Sequence, residues 1–260
     1  MRIVNLSSGS DGNITYIESD LVKILLDDGL SCAESVKRLD AIGISPNEID
    51  AIVVTHEHSD HIKGIDLFSK KFDVPVYAHS DVWKGLDGKL SKVEGKNRRQ
   101  FDGKFELRDL LVSPVAVPHD VKCYGFSFSV KEKKISVVTD IGHFNDKIIN
   151  EIKGSQIAYI EANYDKDMLF NGTKYPLSLK RRIAGPNGHL SNIDSGDAID
   201  YLALNGAKQI VLSHLSKENN TPLLAYNSVC NRLKKDDIIE GRDIRIDVAT
   251  TQIGAIFRLK

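Results

Sequence analysis

Short apolar runs recur along the chain, separated by polar stretches rich in Gly, Asp, Asn and Ser. The runs Met1–Leu6, Thr15–Glu18, Leu21–Asp27, Ala51–Val54 and Val74–Ala78 predict strands in the first half. Pro75 suits an edge or first strand position. Leu111–Val117, the alternating Gly125–Val130, Ile135–Thr139, Gln156–Glu161, Lys208–Ser213, Ile244–Val248 and Ile253–Leu259 predict strands in the remainder. Ser31–Ile42 and Asp194–Asn205 instead repeat their apolar positions at helical spacing, with Gly43 and Gly206 as terminators. The apolar segment after Gly64 predicts a turn into a helix. Ser7–Asn13 is too rich in small polar residues for a helix. It reads as a tight turn, either structural or a cradle for phosphate. Many short strands with helices at intervals predict layered α/β structure, with helices outside packed sheets. No sequence repeat and no linker divides the chain.

At 260 residues the chain can bury one large core, as one domain or two. A formal net charge of -1 excludes a uniformly basic nucleic-acid binder but leaves room for local positive patches. Residues 81–108 form one such patch. Eight basic side chains against five acidic ones give +3, and Trp83 and Phe101 are prospective base-stacking surfaces. Cys32, Cys123 and Cys230 are scattered and form no CxxC pair, which argues against a disulfide framework and a cysteine zinc knot. No apolar run has transmembrane length and no secretion signal is apparent. The expectation is a cytoplasmic protein with no membrane partner.

The densest chemistry lies in Thr55-His-Glu-His-Ser-Asp-His61, directly after the predicted strand Ala51–Val54. It offers the imidazoles of His56, His58 and His61 and the carboxylate of Asp60. Asp60 and His61 could serve one cation, with His56 and His58 along an extended stretch serving another. His119, Asp140 and His214 each follow another apolar β-like run, and strand ends from one sheet edge can converge on a single pocket. Imidazole nitrogen and carboxylate oxygen suit zinc, manganese or iron. The HExxH metalloprotease pattern is excluded, because Asp60 stands where its second histidine belongs.

Thr55-His-x-His-x-Asp-His61 resembles the signature of the metallo-β-lactamase superfamily. By that resemblance His56, His58 and His119 bind one divalent cation, Asp60, His61 and His214 a second, and Asp140 bridges them. The implied fold is an α/β, αβ/βα four-layer sandwich of two mixed β-sheets flanked by helices, one domain over residues 1–260. A finer likeness is to the YycJ/WalJ-like branch. It is carried by Ser8-Gly-Ser-Asp-Gly-Asn13, Thr55–Gly64, Glu161-Ala-Asn163, Lys180-Arg-Arg182, Gly188-His-Leu-Ser-Asn192 and Leu212–Thr221. Proteins of that branch are described as DNA exonucleases acting on duplex ends, with a link to mismatch repair. The resemblance therefore implies a 5′–3′ double-stranded DNA exonuclease with DNA as its partner.

Phosphodiester cleavage assigns roles to further residues. Asp60 is expected to bind a cation and to orient the nucleophile, and His189 is the best general acid for the leaving alkoxide. Gly188-His-Leu-Ser191 resembles the Gly-His-Ser-Thr stretch of tRNase Z enzymes. Those enzymes place a histidine before their glutamate where this chain has Ile160, so that acid partnership does not carry over. Many relatives in the branch have histidine where this chain has Tyr164. Lys180, Arg181, Arg182 and His143 are expected to contact phosphates, and Asn219 to bind phosphate or cap a helix. The same ligand set would serve two alternatives. One is hydrolysis of a small phosphodiester, lactone or thioester. The other is a non-catalytic, metal-stabilised nucleic-acid-binding protein.

Overall fold

Several apolar runs lack the alternation of a half-exposed strand because both of their faces are covered. Ala51–Val54 and Ile157–Glu161 are buried at every position. A computed structural model describes residues 1–260. The strands are β1 (Arg2–Ser7), β2 (Ile14–Glu18), β3 (Lys23–Leu26), β4 (Ala51–Val54), β5 (Val76–His79), β6 (Arg98–Phe101) and β7 (Phe105–Leu107), then β8 (Leu110–Val117), β9 (Cys123–Val130), β10 (Lys133–Val138), β11 (Ile157–Glu161), β12 (Gln209–Ser213), β13 (Arg245–Val248) and β14 (Ile256–Arg258). The helices are α1 (Cys32–Ala41), α2 (Ser59–Ile62), α3 (Ile65–Phe72), α4 (Ser80–Gly85), α5 (Asp146–Ile152), α6 (Lys166–Asn171), α7 (Leu177–Ile183), α8 (Asn192–Leu204) and α9 (Pro222–Leu233). None of them is long and apolar enough to cross a membrane.

The strands form two seven-stranded mixed sheets, ordered β14-β1-β2-β3-β4-β5-β6 and β13-β12-β11-β10-β9-β8-β7. Two mixed sheets, each flanked by helices, are the elements of the αβ/βα sandwich that the sequence predicts. The chain divides into two compact units, residues 1–114 with 129–131 and 251–260, and residues 115–128 with 132–250.

In the first unit β3, β4, β5 and β6 run parallel, with Leu25 opposite Ile52 and Val53 opposite Tyr77. Parallel pairing puts their C-terminal ends on one edge, so the residues after β3 and β4 emerge side by side. In the second unit β10, β11 and β12 are likewise parallel, with Val138 opposite Ile160 and Glu161 opposite Ser213. The segments that follow β10 and β12 therefore leave the sheet beside the end of β11. Ile148, Ile152, Ile199, Leu202, Val229 and Leu233 of α5, α8 and α9 are buried with Ala158, Ile160, Ile210 and Leu212 of the sheet. Each such side chain contributes roughly 1.5–3 kcal/mol by leaving water.

The predicted helix Ser31–Ile42 is α1 with its two caps, Ser31 accepting a hydrogen bond from the Glu34 N–H and Ile42 closing the C-terminus. Helix α8 likewise starts at Ser191, whose side chain accepts from the Asp194 N–H at 3.2 Å. The sequence pattern does not reveal α5, α6, α7 or α9. Nor does it reveal α4, β6 and β7 inside the charged stretch 81–108, where solvent-facing charges hide the period. Phe101 is buried there and stacked on Phe105 at 4.5 Å, so it fills core space and is not a base-stacking surface.

One polar chain runs through the second unit's interior. Ser136 Oγ lies 2.6 Å from both Ser127 Oγ and Ser155 Oγ, and Ser155 Oγ donates to the Ile152 carbonyl at 2.6 Å. These hydroxyls tie β9 and β10 to the end of α5. Ser136→Ala breaks the chain in the middle and is expected to cost about 1–3 kcal/mol in urea denaturation, since buried hydroxyls lose their partners. Unchanged stability would contradict this reading.

Candidate metal centre

In the first unit the site grows from the ends of β3 and β4. Asp27 follows β3 in a left-handed conformation, φ +58°. Its Oδ1 accepts from the Thr55 N–H at 2.8 Å, and its Oδ2 accepts from Thr55 Oγ1 at 2.8 Å and His61 Nδ1 at 2.7 Å. Thr55 Oγ1 spends its proton on Asp27, so it accepts from His56 Nδ1 at 2.9 Å. One buried carboxylate thus fixes two imidazoles with Nδ1 protonated and Nε2 as a Lewis base that could take a cation. The His56 ring packs 4.6 Å from His58 and 4.1 Å from His61, centroid to centroid. Asp60 Oδ2 lies 3.5 Å from His61 Nε2. Burial pushes the Asp27 carboxyl above its ordinary range, against the opposing pull of His61 and the Thr55 donors.

The turn that carries these histidines is packed so closely that it needs small neighbours. A Cβ on Gly29 would sit 1.6 Å from the Asp60 carbonyl oxygen, and one on Gly85 would sit 1.6 Å from Glu57 Oε2. Gly85 thus brings the end of α4 against the residue between His56 and His58.

In the second unit Asp140, Glu161, His189 and His214 bring one ligand atom each within 4.8 Å of one another. Glu161 closes β11 and is buried. Its Oε1 accepts from His189 Nδ1 and His214 Nδ1, both at 2.8 Å, and its Oε2 accepts the N–H groups of Ile141 at 2.9 Å and Leu190 at 3.2 Å. His214 Nε2 lies 3.5 Å from Asp140 Oδ1, and His119 Nε2 lies 4.0 Å from the same oxygen. His119 Nδ1 donates to the Gly188 carbonyl at 3.2 Å. Asp140 and His214 both hold φ at +56°, a conformation that costs a non-glycine residue roughly 1 kcal/mol or more and concentrates at functional sites. Burial raises the Glu161 carboxyl, but His189 and His214 outweigh it and hold the group below the ordinary carboxylate range. Burial depresses His189, but Glu161 outweighs burial and the imidazole stays above its ordinary value. Burial lowers His119, with Asp140 opposing.

The donor set suits divalent cations. It combines imidazoles whose Nδ1 atoms are engaged by carboxylate, hydroxyl or carbonyl oxygen with hard carboxylate oxygens, and it contains no thiolate. These clusters of His, Asp and Glu are consistent with a binuclear divalent-metal active site.

The remaining predicted residues fall in varied places. His143 is exposed and its Nδ1 donates to the Pro186 carbonyl at 2.9 Å. Arg181 and Arg182 are exposed, with Arg182 3.7 Å from Asp120. Lys180 is buried, and its ammonium donates to the carbonyls of Phe170 and Gly172 at the end of α6. Asn219 is buried, its N–H and Nδ2 reaching Ser216 Oγ. In the 81–108 patch, Lys84 pairs with Asp81, Lys96 with Asp73 and Arg108 with Asp50, while the Arg98 guanidinium covers Trp83 at 5.2 Å.

Sequence reasoning missed Asp27 and the clamp role of Glu161. Each is a carboxylate at the end of an apolar run, the only signal for Asp27, whereas Glu161 also stands in one of the motifs that carry the branch resemblance. Asn163 and Asn220 extend the scaffold. Asn163 Nδ2 donates to the His214 carbonyl at 2.7 Å, and Asn220 Nδ2 to the Ala162 carbonyl at 2.8 Å.

Residues 23–215 match the family described as "Beta-lactamase superfamily domain". The chain belongs to this family, and it is a metal-dependent hydrolase of the metallo-β-lactamase superfamily. Within the superfamily it is 35% identical to the exodeoxyribonuclease WalJ of Streptococcus pneumoniae (strain D39) over 246 residues, 93% of this chain and 91% of that one. It is also 35% identical to the exodeoxyribonuclease YycJ of Bacillus anthracis, over 88% of each chain. Zinc-bound PqqB of Methylobacterium extorquens shares the fold with a TM-score of 0.73 over the full length of both chains, at 15% identity.

Glu161→Gln keeps the shape of the clamp but faces four N–H donors with an amide. Zinc affinity of the metal-free chain is expected to fall on the order of 10- to 100-fold, measured by competition with a chromogenic chelator. Wild-type affinity in this variant would show that the carboxylate does not set the ligands.

Proposed function

We propose that this chain is a nuclease that degrades double-stranded DNA from its 5′ ends in the cytoplasm and serves DNA repair. Its metal ligands are His56, His58, Asp60 and His61 of the first unit and His119, Asp140 and His214 of the second. They serve two divalent cations, zinc or manganese, with iron also compatible with these donors. The observation that carries the reading is the similarity to a pneumococcal exodeoxyribonuclease across 93% of the chain. Three free cysteines fit a reducing compartment.

Bound cations would lower the pKa of coordinated water and polarise the scissile phosphodiester. The chain's own groups do the rest. Asp60 binds a cation and orients the attacking water through its carboxylate. His189 is held at Nδ1 by Glu161 and is the more exposed of that carboxylate's two imidazole partners, its side chain 22% accessible against 4% for His214. Its Nε2 proton passes to the leaving alkoxide, a poor leaving group that needs one. Arg181, Arg182 and His143 contact phosphates from the surface. Lys180 and Asn219 act from beneath by holding α6 and the loop after β12, since their polar atoms are engaged there.

End-labelled duplex and single-stranded DNA and RNA, digested with zinc or manganese, should show loss from the 5′ ends of duplex DNA. Asp140→Ala should abolish it. Equal loss from RNA, or turnover of bis-p-nitrophenyl phosphate alone, would replace this substrate with RNA or a small diester. His189→Ala should slow natural DNA by about 10²- to 10⁴-fold and a p-nitrophenyl diester far less, because nitrophenolate leaves without a proton. Equal slowing of both substrates would remove the general-acid role.

A further inference from the structure

Asn13 ends the polar turn that follows β1, and it joins that turn to the histidine turn. The register of β1 on β2 shifts between Asn5 and Ser7, a bulge that redirects the chain. The Asn13 N–H then donates to the Asp60 carbonyl at 2.7 Å, and the Asn13 carbonyl accepts from the Gly29 N–H at 2.9 Å. Its side-chain Oδ1 accepts from the Gly9 N–H at 2.9 Å. That bond settles the direction of the amide, because a backbone N–H needs the oxygen and not the nitrogen. Nδ2 consequently faces Asp60 and His61, donating to Asp60 Oδ2 at 3.2 Å and, in the metal-free chain, to His61 Nε2 at 3.0 Å, with the Asp60 carbonyl 3.4 Å away. The turn is tight enough to exclude a side chain at Gly12, where φ is +152° and a Cβ would fall 2.6 Å from Leu30.

We propose that Asn13 is a positioning residue that holds the Asp60 carboxylate in its working orientation and thereby sets the affinity of the cation served by Asp60 and His61. The proposal rests on the assignment of those two residues as ligands. A neutral amide suits the task. A lysine or arginine in its place would neutralise Asp60 and compete with the cation, whereas an amide N–H steers one oxygen and leaves the charge intact. The turn Ser7–Asn13 thus acts through Asp60.

The test is cobalt(II) titration of the full-length metal-free chain, followed by visible absorption, alongside thermal melting of the metal-free forms. Asn13→Ala should weaken one of the two equivalents on the order of 10- to 100-fold and leave the other unchanged. Combined with Asp60→Asn, it should add nothing to the effect of Asp60→Asn alone, the mark of two residues acting as a unit. Asn13→Asp keeps the acceptor for the Gly9 N–H, so the polar turn should survive and the metal-free form should still melt cooperatively. It also sets two carboxylates against each other, so it should shift the cobalt bands. Equal weakening of both equivalents, or full additivity with Asp60→Asn, would assign Asn13 a merely structural role and overturn the proposal. Cobalt binding impaired in Asp60→Asn but unchanged in both Asn13 variants would overturn it alone. Unchanged binding in Asp60→Asn would overturn the ligand assignment together with it.

Discussion

Two buried carboxylates, Asp27 and Glu161, govern the geometry of every histidine they touch. Each stands at the C-terminal end of a strand in a parallel set, where neighbouring chain ends emerge on one edge. Each accepts hydrogen bonds from imidazole Nδ1 and backbone N–H, one of each at Asp27 and two of each at Glu161. A carboxylate in that position would be costly to bury alone. Surrounded by donors it becomes a fixed post, and at His61 and His214 the ring nitrogen opposite the bond is left as a Lewis base. The left-handed backbone at Asp27, Asp140 and His214 is the local cost of turning side chains at strand ends towards a common purpose.

The same arrangement recurs in both units with different parts. Around Asp27 a threonine relays the hold to His56, so one carboxylate controls two rings through one hydroxyl. Around Glu161 the two rings bind one oxygen directly, while the other oxygen anchors the backbone at Ile141 and Leu190. Those anchors place the segment after Asp140 and the segment after His189 relative to β11. A single side chain therefore sets the imidazole geometry, the loop geometry and the orientation of the residue assigned as proton donor. The amides of Asn163 and Asn220 reinforce that frame, which explains why the motifs around residues 161, 190 and 214 act as one body although they are far apart in sequence.

Much of this was legible in the sequence for a physical reason. His56, His58, Asp60 and His61 crowd into one turn after an apolar strand, a pattern that core packing does not produce. Asp140 and His214 stand after comparable runs. The strands themselves showed because both faces are apolar, and α1 and α8 showed because their apolar positions repeat at helical spacing and end before Gly43 and Gly206. Other parts were hidden. Asp27 looks like an ordinary turn carboxylate, and the grip of Glu161 on two imidazoles stays hidden, until the partners from remote segments are known. Lys180 sits in a basic run that reads as solvated, yet it is buried against carbonyls of α6. Helices α6 and α7 are too short to show a period, and the charges of 81–108 mask a helix and two strands.

The most direct test of this account is the tautomer of the histidines, read by long-range proton–nitrogen correlation spectroscopy on the metal-free, isotope-labelled chain. Carboxylate control predicts that neutral His61 and His214 carry their proton on Nδ1, and that zinc then perturbs the Nε2 resonances. Protons found on Nε2 of these rings, or Nε2 resonances indifferent to zinc, would contradict it.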